Sequence, residues 1–143
     1  MHTYTVEFRI YGRTLNTSAA TDTLGLGPSL VREIGDRRGQ TTYCEEAMWG
    51  YNGYPQDHGS KQWDSLEEGL VFILERLWPV KGKIDGFKLN HNLVLWCGHF
   101  QSDFNGGPSL SPSMLKKLGE FGVKLFIDTY FNDESEEKSG EGP

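Results

Sequence analysis

The chain has 143 residues, a formal net charge of −6 at pH 7 and two cysteines. This length suits one globular domain whose core needs neither disulfides nor metals, and we expect that domain to span residues 1–132. The acidic balance argues against a nucleic-acid partner, because such binding depends on clustered Lys and Arg. No apolar run approaches the ~20 residues of a membrane-spanning helix, and the first residues do not resemble a signal peptide. We therefore expect a cytoplasmic protein with free thiols and no membrane partner.

The N-terminal region predicts a strand followed by a short helix. Residues 4–11 alternate apolar and polar side chains, which is typical of a strand with one buried face. Asn16 or Thr17 can cap a helix that runs to Leu24, and Gly25 can supply the left-handed residue at which many helices end. A glycine-proline turn then leads into a stretch without clear periodicity.

The middle of the chain predicts a strand, an aromatic loop and an amphipathic helix. Residues 46–51 predict a short strand that opens into a loop rich in Trp, Tyr and Gly. Ser65 and Glu68 form a capping box, in which each side chain accepts a hydrogen bond from an amide at the helix start. The apolar residues of this helix share one stripe, and Pro79 ends it. We expect residues 81–90 to form a connecting loop, in which a partial turn around Ile84 is an open alternative.

The C-terminal third predicts a strand-helix-strand unit. Residues 91–100 are apolar on both faces, which indicates a central strand. Ser111 can cap the helix and Pro112 can occupy its first position, where a missing N–H costs nothing. Gly122 ends the helix, and residues 123–131 alternate again as the last strand. We expect four apolar residues on the buried stripe of this helix: Met114, Leu115, Leu118 and Phe121.

These elements predict an α+β fold, a two-layer sandwich with a roughly four-stranded mixed sheet and helices mainly on one face. The two strands of the C-terminal unit would be parallel if they share a sheet. A fully parallel, doubly wound sheet is disfavoured, because the first two strands lack continuous apolar runs. Trp78 and Trp96 are expected in the core. Residues 133–143 are acidic and rich in Ser and Gly, which predicts a disordered tail.

Five segments carry a resemblance to a known family: FRIYG (8–12), LGLGP (24–28), WCGHFQSD (96–103), GGPSLSP (106–112) and LFIDTY (125–130). With these segments the chain resembles domain-of-unknown-function family 4279, a group of small bacterial proteins. The resemblance implies no catalytic residues. It implies a bacterial protein of unknown role, in a family of which some members look like immunity partners of secreted toxins.

Candidate catalytic and metal-ligating side chains are few. His91, Cys97 and His99 share one face of their predicted strand, and the latter two could ligate zinc. A closed zinc site needs four ligands, however, and no second Cys/His pair follows at the usual spacing. Ser102 and Asp103 follow too closely on the same strand to form a triad with a histidine. We therefore assign no metal, no cofactor and no catalytic residue.

The aromatic loop, residues 41–64, is the strongest candidate for a binding surface. Trp and Tyr are enriched at interface hot spots because they bury a large area at small entropic cost. Alternatively, Trp49 and Trp63 fill the core or cover the sheet, whereas Tyr51 and Tyr54 are expected at the surface. Nearby carboxylates could meet a basic partner. The candidate partner-binding residues are Trp49, Tyr51, Tyr54, Asp57, Trp63, Asp64 and Asp103.

These features favour a non-enzymatic bacterial binding protein, of the immunity type that neutralises a toxin by covering its active site. Its partner would be a protein with a basic surface, such as a toxin domain, and the chain itself a monomer or a homodimer. The alternative is a small-molecule sensor or regulatory module, which predicts a concave apolar pocket of roughly a few hundred Å³. An enzyme comes third, and requires at least two titratable groups that converge in such a pocket.

Overall fold

The computed structural model describes residues 1–54 and 61–131, which form one mixed sheet with helices packed against one of its faces. The strands are β1 His2–Gly12, β2 Leu30–Arg32, β3 Ala47–Tyr51, β4 Asn92–Gln101 and β5 Lys124–Phe131. The helices are α1 Thr17–Leu24, α2 Leu66–Leu77, α3 Lys81–Phe87 and α4 Pro112–Phe121. The α+β expectation is confirmed, with five strands rather than four. The predicted acidic tail lies outside the described residues.

The long strand β1 lies at the centre of the sheet, whose order is β2-β3-β1-β4-β5. It pairs antiparallel with β3 on one side and with β4 on the other, while β4 and β5 are parallel, as expected for the C-terminal unit. The alternation of apolar and polar residues in β1 decides which of its side chains face the helices. Val6, Phe8 and Ile10 are buried against the helices, and Glu7 and Arg9 point to the opposite face.

Three helices begin at the side-chain caps that the sequence predicts. Asn16, Ser65 and Ser111 each accept a hydrogen bond from the amide three residues further on, at 3.0, 3.3 and 3.2 Å. Gly25 and Gly122 end α1 and α4 in the left-handed conformation, with φ of 67° and 74°. Local sequence therefore sets the ends of these helices. Within the described residues, no helix has the length and apolar character needed to cross a bilayer.

Three local expectations are wrong. The segment 81–90 is not a loop, because its first seven residues form α3, which Ile84 anchors in the core at 0 % exposure. Two glycines weaken the helical signal of this segment, and burial outweighs them. The short strand β2, residues 30–32, was not expected, since three residues are too few to show an alternation. Leu115 is 56 % exposed rather than buried, because it follows Met114 directly and so points about 100° away from it around the helix.

The core lies between the sheet and the helices. Phe8 contacts Trp49 and Phe121 edge to face, with ring centroids 6.3 and 6.4 Å apart. The indole N–H of Trp49 donates to the Thr21 hydroxyl at 2.9 Å, so this buried polar group is satisfied. The buried residues of all four helices belong to this one cluster. Within the described residues no helix covers the other face of the sheet, which we call the open face.

Candidate functional site

A groove crosses the open face in two connected lobes. The first lobe, of about 650 Å³, lies between the centre of the sheet and the segment 38–46. The second, of about 460 Å³, lies over β4 and β5. Arg9, Tyr11 and Glu46 line both lobes, so the two form one continuous groove.

Arg9 forms the floor where the two lobes meet. Its Nε donates to the Glu7 carboxylate at 2.6 Å and its Nη1 donates to the Tyr11 hydroxyl at 3.0 Å. Its guanidinium carbon lies 4.2 Å from the centre of the Trp96 ring, within cation–π range. Burial works against the charged form, but the Glu7 carboxylate outweighs it and raises the pKa of Arg9. The result is a permanently charged, geometrically fixed cation.

The carboxylate that holds Arg9 is itself fixed by its neighbours. Glu7 accepts a second hydrogen bond from the Ser29 hydroxyl at 3.0 Å. On the adjacent strand, a Cβ at Gly50 would lie only 3.1 Å from the Glu7 carboxyl carbon. Glycine at this position therefore makes room for the carboxylate. The pairing of β1 with β3 thus builds a polar platform whose side chains are already held in place.

A small hairpin forms one wall of the first lobe. Cys44 donates its amide to the Asp36 carbonyl at 2.7 Å, and Arg38 donates its amide to the Thr42 carbonyl at 2.9 Å. The Arg37 guanidinium donates to the Gly39 carbonyl at 2.9 Å and so braces the turn. Two neighbouring arginines therefore have different roles: Arg37 supports the hairpin, and the side chain of Arg38 is left to line the groove.

The groove concentrates positive charge in an acidic chain. Its lining includes four cationic residues against two anionic ones: Arg9, Arg32, Arg38 and Lys124, against Glu45 and Glu46. Beneath the lining, the Glu7 carboxylate offsets the charge of Arg9 at 2.6 Å. In the part of the chain that the structure describes, Arg32 and Arg38 have no carboxylate within ion-pair distance. The chain as a whole carries −6. Cationic side chains that line a concave surface attract anions.

The second lobe adds an apolar surface to this cationic one. Val94, Trp96 and Phe126 line it, and Phe126 is 49 % exposed. The expectation that Trp96 belongs to the core is wrong. Strand β4 is apolar on both sides, but the helices cover only the side that carries Cys97. The groove is therefore amphipathic, with arginines around one lobe and aromatic rings in the other.

The aromatic residues expected at the surface lie partly in the core. Trp49 and Tyr51 are 0 % and 6 % exposed, and their rings stack on each other with centroids 6.1 Å apart. For Trp49 the structure agrees with the alternative that it fills the core. For Tyr51 the expectation of surface display is wrong, because every residue of β3 is buried. Neither side chain can contact a partner in this conformation.

Of the remaining candidate partner-binding residues, those that the structure describes do not line the groove. Tyr54 is half-buried, with its ring stacked 5.0 Å from that of Phe72. Trp63 is also half-buried and pairs with Tyr4 through two backbone hydrogen bonds. Asp64 is exposed, and Asp103 forms a 2.7 Å ion pair with the N-terminal amine. Asp57 lies outside the described residues. A role for these residues in binding stays a prediction.

Cys97 and His99 of β4 are buried, and His2 of β1 lies beside His99; His91, which the sequence placed on the same strand, lies just before β4. Cys97 is fully buried, and burial raises the pKa of its thiol to about 12. His99 is 4 % exposed, stacks on Tyr4, and its Nε2 lies 2.8 Å from Nδ1 of His2. Among the described residues, no three His, Cys, Asp or Glu side chains are arranged to hold a metal ion. Cys97 belongs to the hydrophobic core cluster, and His99 is buried beside it.

The sequence contained one signal for the groove. The polar side of the alternating strand β1 carries Glu7, Arg9 and Tyr11, which are the residues that form the groove floor. Arg32 and Arg38 had no such signal, because they lie in a stretch without periodicity. Only the pairing of β2 with β3, and the fold of the hairpin beyond it, bring them to the same face.

Comparisons with known proteins support a family assignment. Neither the curated proteins nor the solved structures include a match to this chain. A family model described as "Domain of unknown function (DUF4279)" matches residues 2–132. That range contains all the strands and helices that build the core and the groove. The chain therefore belongs to the DUF4279 family, as the resemblance of its five segments indicated.

Proposed function

We propose that this protein is a non-enzymatic binding protein that holds an anionic small molecule with an apolar body in the groove of the open face. One observation carries the proposal: a net acidic chain places Arg9, Arg32 and Arg38 around a single concave surface. This corresponds to the sensor or regulatory alternative of the sequence analysis, except that the first lobe is lined mostly by charged and polar residues rather than by apolar ones. The volume of the first lobe, about 650 Å³, falls within the range of small-molecule sites.

The two lobes suit different parts of such a ligand. A carboxylate, sulfonate or phosphate would lie between Arg32 and Arg38, whose planar guanidinium groups favour oxyanions. The apolar body would lie over Phe126 and the edge of Trp96 in the second lobe. Tyr11, at the junction, offers a hydroxyl that already accepts from Arg9 and can donate to the ligand.

The residues of the groove favour binding over catalysis. The described residues that line the two lobes include no histidine, the side chain that most often transfers protons at neutral pH. Arg9 is held in one charge state by Glu7 and cannot act as a base. We also propose a reducing, cytoplasmic setting. The two cysteines, which are free and buried rather than joined, support it.

A fluorescent aromatic anion can test the site directly. The dye 8-anilinonaphthalene-1-sulfonate combines a sulfonate with a flat apolar body, and its emission rises in an apolar groove. We expect Arg32→Ala and Arg38→Ala each to weaken its binding by about fivefold to tenfold, because each removes a charged hydrogen-bond donor. Arg76→Ala is the matched control, since Arg76 is exposed on α2, on the other side of the sheet, and lines neither lobe.

The salt dependence gives a second measure. Binding of the dye should weaken as salt rises in the wild type, and less so when both Arg32 and Arg38 are replaced, since screening acts on the charges that they supply. If the dye binds all variants equally, or if the Arg76 control weakens binding as much as the others, the groove is not the anion site and the proposal fails.

The immunity-type hypothesis remains a second candidate, and one exposed aromatic pair favours it. Phe104 is 79 % exposed and stacks on Phe131, with ring centroids 4.4 Å apart, next to Asp103. An exposed aromatic pair beside a carboxylate suits a protein partner with a basic surface. Co-expression with toxins encoded by neighbouring genes would test it. Protection that is lost on Phe104→Asp would support the idea, and absence of any protection would exclude it.

A further inference from the structure

Within the described residues, the edge of the sheet at β5 carries few of the features that usually prevent edge strands from pairing. This strand has eight residues, whereas the opposite edge strand, β2, has only three. It contains no proline, and its only charged residues are Lys124 and Asp128. Phe126 and Tyr130 on its open face are 49 % and 41 % exposed. A long edge strand with apolar side chains and few charges is a template for pairing with another strand.

The sequence of β5 is complementary to itself in one antiparallel register. When Phe126 lies on a two-fold axis, it faces Phe126 of a second copy, and Lys124 lies opposite the second copy's Asp128. Symmetry produces this opposite-charge pair twice. On the other face of the sheet, Leu125 lies opposite the second copy's Ile127. A register centred on Asp128 would instead place two aspartates against each other.

We propose that β5 pairs with β5 of a second copy in this register, so that two sheets join into one of ten strands. The segment of the same chain that follows β5 is a poorer match for this edge. Residues 132–143 contain five carboxylates and, apart from one proline, no apolar side chain that could face Phe126. A single pair of edge strands buries less than the about 1,200 Å² of stable complexes, so we expect a weak dimer.

The pairing also changes the surroundings of the groove. Lys124, Leu125 and Phe126 line the second lobe, so the two-fold axis brings the second lobes of two subunits side by side. The second copy's Asp128 would then lie opposite Lys124, at the edge of the lobe. This inference goes beyond the proposed ligand site and does not depend on it, because the pairing uses only the edge of β5 with which none of the described strands pairs.

Sedimentation equilibrium of the full chain over a concentration series tests the proposal. We expect the mass to rise from 16.2 kDa toward twice that value. Lys124→Glu and Asp128→Lys each place like charges opposite each other at both pairs, and we expect each to weaken the dimer at least about tenfold. Lys116→Glu makes the same charge change on the exposed surface of α4 and should leave the dimer unchanged. Circular dichroism melting checks that each variant is folded.

Mixing the two variants tests the register. In a mixed dimer, each introduced charge faces an opposite charge, so an equimolar mixture of Lys124→Glu and Asp128→Lys should recover a dimer of about wild-type strength. A wild type that stays monomeric at every concentration would overturn the proposal. A dimer that survives Lys124→Glu alone and Asp128→Lys alone would also overturn it, since that dimer would have to form through another surface.

Discussion

Replacing Glu7 by glutamine tests whether charge holds the groove floor in place. The change keeps the size of the side chain but removes the negative charge that lies 2.6 Å from Nε of Arg9. The two side chains are only 18 % and 13 % exposed, for Arg9 and Glu7 respectively. The guanidinium would therefore remain largely buried, with the Tyr11 hydroxyl and the Trp96 ring as its other contacts.

The expected loss of stability is about 2 kcal/mol, as the net of two larger effects. Two unit charges about 4 Å apart attract by about 4 kcal/mol at the effective dielectric constant of a protein surface, ~20. The cost of removing both charges from water offsets part of that attraction. Arg9→Met removes the cation instead, and the double variant removes both charges. We therefore expect the double variant to be more stable than the sum of the single changes predicts, by about 1–2 kcal/mol.

Urea unfolding followed by circular dichroism gives the four free energies of this double-mutant cycle. Glu45→Gln is the control, because Glu45 is exposed and makes no ion pair among the described residues; its effect should stay within about 0.5 kcal/mol. A coupling energy below about 0.3 kcal/mol would refute the reasoning, since changes at independent sites add to within about that value.

Three further changes test other parts of the fold. Ile84→Ala should lower the free energy of unfolding, measured in urea, by about 2–4 kcal/mol, because Ile84 is fully buried. A loss below about 0.5 kcal/mol would contradict the packing of α3 in the core. Gly98→Ala should cost about 1–3 kcal/mol, because its Cβ would lie 2.5 Å from the Thr5 hydroxyl, and Thr5→Ala in the same chain should recover part of that loss. Burial, together with the charge of His2, lowers the pKa of His99, so the unfolded chain binds a proton there more readily than the folded chain. The contribution of neutral His99 to the free energy of unfolding is therefore complete above the ordinary histidine pKa of about 6.5 and is lost as the pH falls below that value. The urea midpoint should fall more steeply on acidification in the wild type than in His99→Gln.

Trp49 and Trp96 show what alternation along a strand can and cannot predict. Both lie in strands with apolar neighbours. The sequence placed Trp49 in a candidate binding loop, with the core as the alternative, and Trp96 in the core. The structure places Trp49 in the core and Trp96 beside the groove. Alternation shows which side chains share a face, but it does not show which face the helices cover.

What the sequence determined by itself was local. The caps at Asn16, Ser65 and Ser111, the left-handed glycines and the alternation of β1 all depend on contacts within a few residues, and they appear as predicted. The tertiary structure alone decided the open face, the groove and the position of β5 at the edge of the sheet. The groove arises because β2 pairs with β3 beside β1 and the hairpin follows β2, and β5 lies at the edge because it pairs with β4. Strand order depends on the packing of the whole core, which no short segment encodes.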